Sequence, residues 1–175
     1  MRKPKFKASA DWDRRFLQLA ELIASWSKDK STKVGAVAVR DRRVLATGYN
    51  GLPSGVVDSS FRLEDRDTKL LMTQHAETNC ISYAARTGVS LLAADLYIFP
   101  LAPCAHCASS IIQAGIRRVI CFDYVVPQRW QQSFDAAADM FSEAGVALLK
   151  LPEDEDKTPA EVISNLSEKI PPSLR

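Results

Sequence analysis

The second half of the chain alternates short apolar runs with segments of helical periodicity, and this alternation limits the fold more than any other feature of the sequence. The patterns predict three helices and three strands, the helices at 76–87, 105–114 and 130–144 and the strands at 95–99, 118–122 and 146–149. Gly115 and Gly145 stand where helices are expected to end. Strands that alternate with such helices are typical of parallel crossover units. The sequence therefore predicts an α/β domain.

The first half of the chain predicts one further helix and a hairpin. Apolar residues recur at helical spacing over 11–27, which indicates a helix with one buried face. The apolar runs 34–39 and 44–49, separated by a polar turn, predict two paired strands. Residues 50–72 contain glycines, prolines and a charged run, and they predict a long loop with room for one helical turn. Together the elements predict a three-layer α/β/α sandwich around a mixed sheet of about five strands.

Length and composition are those of one globular domain. The 175 residues, 46% of them hydrophobic, are enough to bury one sizeable core. We assign the domain to residues 8–151. The acidic region 152–175 is interpreted as a tail, in which 161–169 can form a short helix.

Charge and hydropathy argue against several classes of function. The formal net charge of +2 is too close to neutrality to favour nucleic acid as a partner. No apolar run approaches the roughly 18 residues that cross a bilayer, and the basic start of the chain is not followed by a signal-peptide segment. We therefore expect a cytoplasmic protein that does not bind membranes.

Three side chains that bind zinc well stand at the starts of two predicted helices. His75 precedes one helix, and Cys104 and Cys107 stand at the start of the next. Because the helices of parallel α/β units begin at the same edge of the sheet, we expect these residues to converge. One imidazole and two thiolates leave the fourth position of a tetrahedral Zn²⁺ site open for water, as in catalytic zinc sites. The sequence therefore predicts zinc as the cofactor.

Glu77 follows His75 by two residues and is the candidate catalytic residue. At this spacing its carboxylate can face the open metal position without binding the metal. Zinc lowers the pKa of a bound water to about 7, and a nearby carboxylate can accept the proton and pass it to a leaving group. The four residues together predict a hydrolytic enzyme.

The motifs that carry these residues resemble the signature of a known family. His75-Ala-Glu77 and Pro103-Cys-Ala-His-Cys107 match the H-x-E and P-C-x-x-C motifs of the zinc-dependent cytidine and deoxycytidylate deaminase superfamily. The resemblance covers residues 12–150 and is greatest to the deoxycytidylate (dCMP) deaminases. The segments that carry this closer resemblance are 27–29, 31–36, 47–53 and 111–119.

The resemblance implies a reaction and two contacts to the base. In this family water replaces the 4-amino group of cytosine at the zinc site, which implies hydrolysis of dCMP to dUMP and ammonia in pyrimidine deoxynucleotide metabolism. By position, Asn50 would contact the edge of the base. The backbone N–H of Ala76 would contact the pyrimidine carbonyl.

The resemblance also implies assembly and control. In the dCMP deaminases the segment 48–51 is associated with regulation by dCTP and dTTP in a hexamer, so a homo-oligomer, with the hexamer favoured, is expected. The implied effector residues are Gly48, Tyr49, Asn50 and Gly51. Ser54 and Val57 stand where the family often has Arg and Asp, which removes a partner for effector phosphate. We therefore expect weak or absent control by dCTP and dTTP.

The 5′-phosphate of such a substrate has several candidate ligands. Ser27, Lys28 and Ser31 offer hydroxyl and ammonium donors. The same residues can instead end the first helix, with Lys28 at the negative end of the helix dipole. Arg66, in the charged run, is a further candidate.

Other functions agree with parts of the pattern. A deaminase of dCTP or of a 5-modified dCMP would use the same motifs. A tRNA deaminase would do so too, but the 24 residues between Asn50 and His75 exceed what is typical of those enzymes. A noncatalytic, zinc-stabilised nucleotide-binding module would not need Glu77, so this carboxylate favours an enzyme.

Overall fold

The computed structural model describes residues 10–124 and 126–152. Within them the helices are α1 (Ala10–Ser25), α2 (Ser60–Glu64), α3 (Arg66–Met72), α4 (Ala76–Arg86), α5 (Ala105–Gln113) and α6 (Gln131–Ala144). The strands are β1 (Gly35–Arg40), β2 (Arg43–Tyr49), β3 (Asp95–Phe99), β4 (Arg118–Phe122) and β5 (Ala147–Leu151). Among these residues no helix has the length and apolar character to cross a bilayer. Residues 8 and 9 of the predicted domain, and the predicted tail from 153 onward with its 161–169 helix, lie outside the described residues.

The five strands form one mixed sheet in the order β2-β1-β3-β4-β5. β1 is antiparallel to β2 and to β3, whereas β3, β4 and β5 are parallel. The hairpin turns at Asp41 and Arg42, both of which have positive φ, as a tight two-residue connection requires. The predicted α/β class and mixed five-stranded sheet are confirmed.

Two apolar cores lie on opposite faces of the sheet. On β1, Val37 and Val39 join the core that contains α1, whereas Ala36 and Ala38 join the core that contains α4, α5 and α6. This division follows from the period of two along a strand, which sends successive side chains to opposite faces. The layers are therefore α1, the sheet, and the group α4, α5 and α6, which is the predicted three-layer arrangement.

Helix α4 touches the backbone of β2 at Gly48. A methyl group on Gly48 would lie 2.4 Å from the backbone oxygen of Ala76 and 2.4 Å from the backbone nitrogen of Cys80. Only a residue without a Cβ permits this approach. The contact with β2 therefore sets the position of the start of α4.

The segment 50–72 differs from the prediction, because it contains two short helices instead of a loop with one turn. The hydroxyl of Ser59 accepts a hydrogen bond from the N–H of Arg62 at the start of α2. The carboxylate of Asp65 accepts one from the N–H of Thr68 at the start of α3. Such caps satisfy backbone donors that a helix start leaves free, and they stabilise helices within a run that is mostly polar.

The two ends of this segment are joined at its base. The N–H of Gly51 donates to the carbonyl of Gln74 over 3.1 Å, and the N–H of Gln74 donates to the carbonyl of Gly51 over 2.9 Å. Because His75 follows Gln74 directly, the pairing holds α2 and α3 beside the start of α4.

Candidate active site

Two helices begin at the same edge of the sheet. β2, β3 and β4 run in one direction, because β1 is antiparallel to both of its neighbours. α5 is the next element after β3, whereas α2 and α3 stand between β2 and α4. Because Gly51 pairs with Gln74, the chain returns to the end of β2 before α4 begins, so both helices start where these strands end. His75 is the N-cap of α4, and Cys104 is the N-cap of α5. The fold thus brings together the two motifs in the way that the sequence predicts.

The imidazole and the two thiols form a compact group of donor atoms. Nδ1 of His75 lies 3.6 Å from Sγ of Cys104 and 3.4 Å from Sγ of Cys107. With Zn–S and Zn–N bonds of about 2.3 and 2.0 Å, a tetrahedral zinc ion would hold nitrogen and sulfur ligands about 3.5 Å apart. Sulfur and imidazole donors at this spacing fit zinc.

Hydrogen bonds within the donor group adjust its charge. The hydrogen bond with Cys107 lowers the pKa of the Cys104 thiol and so favours its ionised form. The same bond raises the pKa of Cys107. The pKa of His75 is raised by its hydrogen bond with Cys104. The donor group therefore favours one ionised sulfur, the form that binds metals.

Glu77 lies beside the donor group without belonging to it. The residue is 4% exposed, and no carboxylate of the described residues falls within the group of metal-ligand atoms, which lie within 4.8 Å of one another. Burial raises the pKa of the Glu77 carboxyl. A raised pKa suits a carboxyl that accepts and returns a proton near neutral pH.

A cavity of about 660 Å³ opens onto these residues. His75, Ala76, Glu77 and Cys104 line one end of it. Its walls come from the 29–34 segment, from α2 and α3, and from the first residues of α6. The volume is typical of a site for a small organic ligand.

Asn50 lines the cavity and also holds the backbone of the neighbouring segment. Its Oδ1 accepts a hydrogen bond from the N–H of Val34 at 2.8 Å, and its Nδ2 donates to the carbonyl of Thr32 at 2.9 Å. The side chain is therefore fixed in orientation before any ligand binds. The role of Asn50 at the base edge stays a prediction.

The three predicted phosphate ligands lie in different places. Ser31 lines the main cavity. Ser27 is buried away from it, where its hydroxyl donates to the carbonyl of Asn50 and accepts the N–H of Asp29. Lys28 forms an ion pair with Asp58 and lines a separate cavity of about 80 Å³.

The residues of the predicted effector segment also lie in different places. Gly48 is covered by α4, as described above. Tyr49 and Gly51 line the smaller cavity together with Lys28. The Tyr49 ring meets the ring of Trp26 edge to face, with their centroids 6.2 Å apart. The structure thus brings Lys28 to the predicted effector segment instead of to the main cavity.

Arg129 and Lys69 line the cavity but were not among the ligand candidates chosen from the sequence. Arg129 and Trp130 follow β4, and the guanidinium carbon of Arg129 lies 4.7 Å from the centre of the Trp130 ring. Their position after a parallel strand is a usable signal, because ligands bind where such strands end. Lys69, in the charged run, is buried, and no local pattern marks it.

Comparison with known proteins identifies the family. A family model described as the cytidine and deoxycytidylate deaminase zinc-binding region matches residues 10–123. The chain belongs to the cytidine and deoxycytidylate deaminase family. The matched region of this deaminase contains the three metal-donor residues and Glu77.

Individual relatives agree with the family assignment. This deaminase is 43% identical over 145 residues to an uncharacterized deaminase of Aliivibrio fischeri, a match that covers 82% of this chain and 95% of the other. It is 35% identical over 148 residues to the human deoxycytidylate deaminase, covering 80% and 79%. The crystal structure of dCMP deaminase from the cyanophage S-TIM5, in complex with dCMP and dUMP, matches with a TM-score of 0.67 and 30% identity over 86% of this chain and 100% of the other. The predicted family and the predicted class of enzyme, a hydrolytic deaminase, are confirmed.

Proposed function

We propose that this deaminase hydrolyses dCMP to dUMP and ammonia with zinc as its cofactor. The observation that carries the proposal is a single cavity with metal donors and a buried glutamate at one end and arginines elsewhere on its wall. The activity named for the human relative, and the dCMP and dUMP in the cyanophage enzyme, support the same substrate.

The residues at the metal-donor group have distinct roles in the proposed reaction. Zinc held by His75, Cys104 and Cys107 would lower the pKa of a water in its fourth position to about 7 and so supply the nucleophile. Glu77 would accept a proton from the attacking water while a carbon–oxygen bond forms at C4 of cytosine, and would return that proton to the exocyclic amine. The carbon–nitrogen bond then breaks and ammonia leaves, while the proton of the new hydroxyl moves to N3 to give uracil.

Asn50 and Ala76 are the candidates for orienting the base. Both line the cavity next to His75. With one hydrogen bond at each end of its amide, Asn50 retains one N–H and one lone pair for a ligand. Ala76 is the first residue of α4, where backbone N–H groups have no partner within the helix. These groups can meet the polar edge of a pyrimidine.

Arg66 and Arg129 are the cavity cations available to a phosphate. The two lysines that line the cavity form ion pairs with carboxylates, whereas neither arginine has a carboxylate partner among the described residues. Guanidinium groups form charge-assisted, often bidentate hydrogen bonds with phosphate. We assign the 5′-phosphate to these two side chains, with Ser31 as a further donor.

The first experiment tests the role of Glu77. Glu77→Gln should keep zinc and the thermal midpoint but lower turnover of dCMP by about 10² to 10⁴-fold, because a general acid and base is removed. Ammonia release, metal analysis and a thermal scan measure the three quantities. A variant that loses zinc while keeping its activity per bound metal would make Glu77 a ligand and overturn the mechanism.

The second experiment tests the substrate. Ammonia release is compared for dCMP, deoxycytidine, dCTP and 5-methyl-dCMP, with dCMP expected to have the highest kcat/KM. Arg66→Ala and Arg129→Ala should each lower kcat/KM for dCMP by about 10 to 10²-fold, since one charge-assisted hydrogen bond contributes about 1.5–3 kcal/mol. They should leave deoxycytidine unaffected.

Arg86→Ala is the matched control, because Arg86 is exposed at the end of α4 and does not line the cavity. Equal rates on dCMP and deoxycytidine would contradict the phosphate assignment. A clear preference for dCTP or 5-methyl-dCMP would replace dCMP as the substrate.

Assembly and control are a separate part of the proposal. We infer a homo-oligomer, because Trp26 and Tyr49 present large aromatic surface on one exposed side of the domain. The resemblance to the dCMP deaminases favours a hexamer. Solution mass by light scattering measures the oligomeric state, and a monomer at all concentrations would refute the inference.

We expect dCTP and dTTP to change dCMP kinetics weakly or not at all, and strongly sigmoidal kinetics abolished by dCTP would contradict this.

A further inference from the structure

The wall of the cavity formed by α2 and α3 is attached to the domain in an unusual way. α2 contains no buried residue, and the only buried residue of α3 is Lys69. Large apolar side chains of the two helices, such as Phe61 and Leu71, are exposed. The contacts that hold this wall against the rest of the cavity are therefore mainly polar.

Lys69 makes the most buried of these contacts. Its Nζ donates to Oδ1 of Asp29 at 3.1 Å and to Oγ of Ser31 at 3.1 Å. The side chains of Lys69 and Asp29 are 11% and 12% exposed. A pair this well shielded from water is screened little, and removal of one member leaves a buried charge without compensation.

Asp29 organises the turn that follows it. Its Oδ1 accepts the backbone N–H of Ser31 at 2.7 Å and that of Thr32 at 3.2 Å. Burial alone would raise the pKa of Asp29, but the hydrogen bonds from Ser31, Lys69 and Thr32 outweigh it and hold the pKa below its usual value. The carboxylate therefore stays charged, and it ties Lys69 to the backbone of residues 29–32.

Two hydrogen-bonded routes lead from this turn to Asn50. In the first, the carbonyl of Thr32 accepts a hydrogen bond from the Asn50 side chain at 2.9 Å. In the second, the hydroxyl of Ser27 accepts the N–H of Asp29 and donates to the carbonyl of Asn50 at 2.8 Å. Asn50 and Lys69 both line the cavity, and the 29–32 turn connects them.

We propose that Lys69 is a positioning residue that fixes the 29–32 turn and, through it, the Asn50 amide in the wall of the cavity. The inference rests on the proposed function, in which Asn50 contacts the base. Lys69 acts here through Asp29 and not through the substrate phosphate. Its loss should therefore impair every substrate that carries the same base.

The test compares Lys69→Met with wild type on dCMP and on deoxycytidine. A shift of a substrate-binding group by about 1 Å can cost about 10²-fold, so kcat/KM should fall by roughly that factor on deoxycytidine and by at least that factor on dCMP, whose phosphate also meets Ser31 in the proposed function. Lys69→Arg keeps the charge and should recover part of the loss. Lys33→Met is the matched control, because Lys33 is an exposed lysine of the same segment that does not line the cavity.

A double-mutant cycle connects the effect to Asn50. In an Asn50→Ala background, Lys69→Met should cost much less than it does in wild type, because residues that act through one another are not additive. Asp29→Asn removes the other charge of the same ion pair, so it should lower kcat/KM in the same way. This variant replaces Lys69→Met in the test if Lys69→Met does not fold. A loss confined to dCMP, wild-type activity, or independent effects in the cycle would overturn the proposal.

Amide hydrogen exchange tests the positioning role without catalysis. In Lys69→Met the N–H groups of Ser31 and Thr32 should exchange faster than in wild type and in Lys33→Met, because the acceptor that holds them is no longer fixed. Unchanged exchange would refute the inference. Failure of the proposed function has a different outcome, since wild type would then release no ammonia from either substrate while the exchange difference persisted.

Discussion

Replacement of Gly48 by alanine should push α4 away from β2 and thereby disturb the active site. The added methyl group would meet backbone atoms of α4, not the ends of flexible side chains. The helix cannot relieve this contact by changing a rotamer, and it carries Ala76 and Glu77 in its first turn. The substitution is therefore expected to displace these residues relative to the cysteine donors at the start of α5.

The size of the effect follows from three distances. The new carbon would lie 2.4 Å from the oxygen of Ala76, 2.4 Å from the nitrogen of Cys80 and 2.9 Å from its Cα. Because nonbonded heavy atoms prefer about 3.5 Å, α4 has to move by about 1 Å. Overpacking of this kind costs about 1–3 kcal/mol, which lowers Tm by about 2–12 °C in a domain of this size. A 1 Å displacement of catalytic groups costs about 10²-fold in turnover.

A thermal scan and ammonia release from dCMP measure both effects. Gly51→Ala is the control, because its added methyl group would be no closer than 3.9 Å to any neighbour, an atom of the Tyr49 ring. Both glycines belong to the predicted effector segment, so the pair separates a packing role from effector binding. Wild-type Tm and turnover in Gly48→Ala would refute the reasoning.

Two further substitutions test the metal donors and a buried charge network. Cys107→Ala should lose zinc, and added zinc should no longer stabilise the variant as it stabilises wild type. Metal analysis and thermal scans with and without zinc measure these two effects, and full zinc content in the variant would contradict the ligand assignment. Asp95 accepts hydrogen bonds from Arg117 and Arg118, and although burial alone would raise its pKa, these bonds hold it below the usual value. A carboxylate with a depressed pKa in the folded state stabilises the fold above about pH 4, and this stabilisation is lost as the pH falls through the folded-state pKa. Asp95→Asn should therefore lower the free energy of unfolding by about 3 kcal/mol at neutral pH and by progressively less in acid. Denaturant titrations at pH 7 and pH 3 measure this, and an equal deficit at both would contradict the linkage.

The sequence predicts well the elements that local pattern determines. β3 and β4 have the predicted bounds, because each is a buried apolar run closed by residues that end strands. The helix ends near Gly115 and Gly145 also agree, since both glycines adopt the positive φ that a helix stop favours. The convergence of the zinc donors could be predicted because topology alone brings the starts of α4 and α5 to one edge.

Two kinds of feature could not be predicted in the same way, namely short helices without apolar periodicity and contacts between distant residues. α2 and α3 begin at the capping side chains of Ser59 and Asp65, whose effect is hidden in a run that looks merely polar. Lys69 is buried because Asp29, forty residues earlier, is there to neutralise it. Ser27 points to the carbonyl of Asn50 and away from the cavity, which only the assembled turn decides. The partners of Lys69 and Ser27 therefore lie outside the local sequence window, whereas the caps of α2 and α3 are local contacts that no apolar periodicity accompanies.

The pairing of Gly51 with Gln74 has a consequence for the evolution and engineering of this enzyme. A segment whose two ends are tied together can change in length and composition with little strain on the domain that carries it. The residues between 51 and 74 supply one wall of the cavity, while the zinc donors stand on helices outside this closed loop. New substrate preferences can thus be sought by exchanging the loop between relatives, provided that Lys69 and its contact with Asp29 are retained and the hydrolytic centre is left in place.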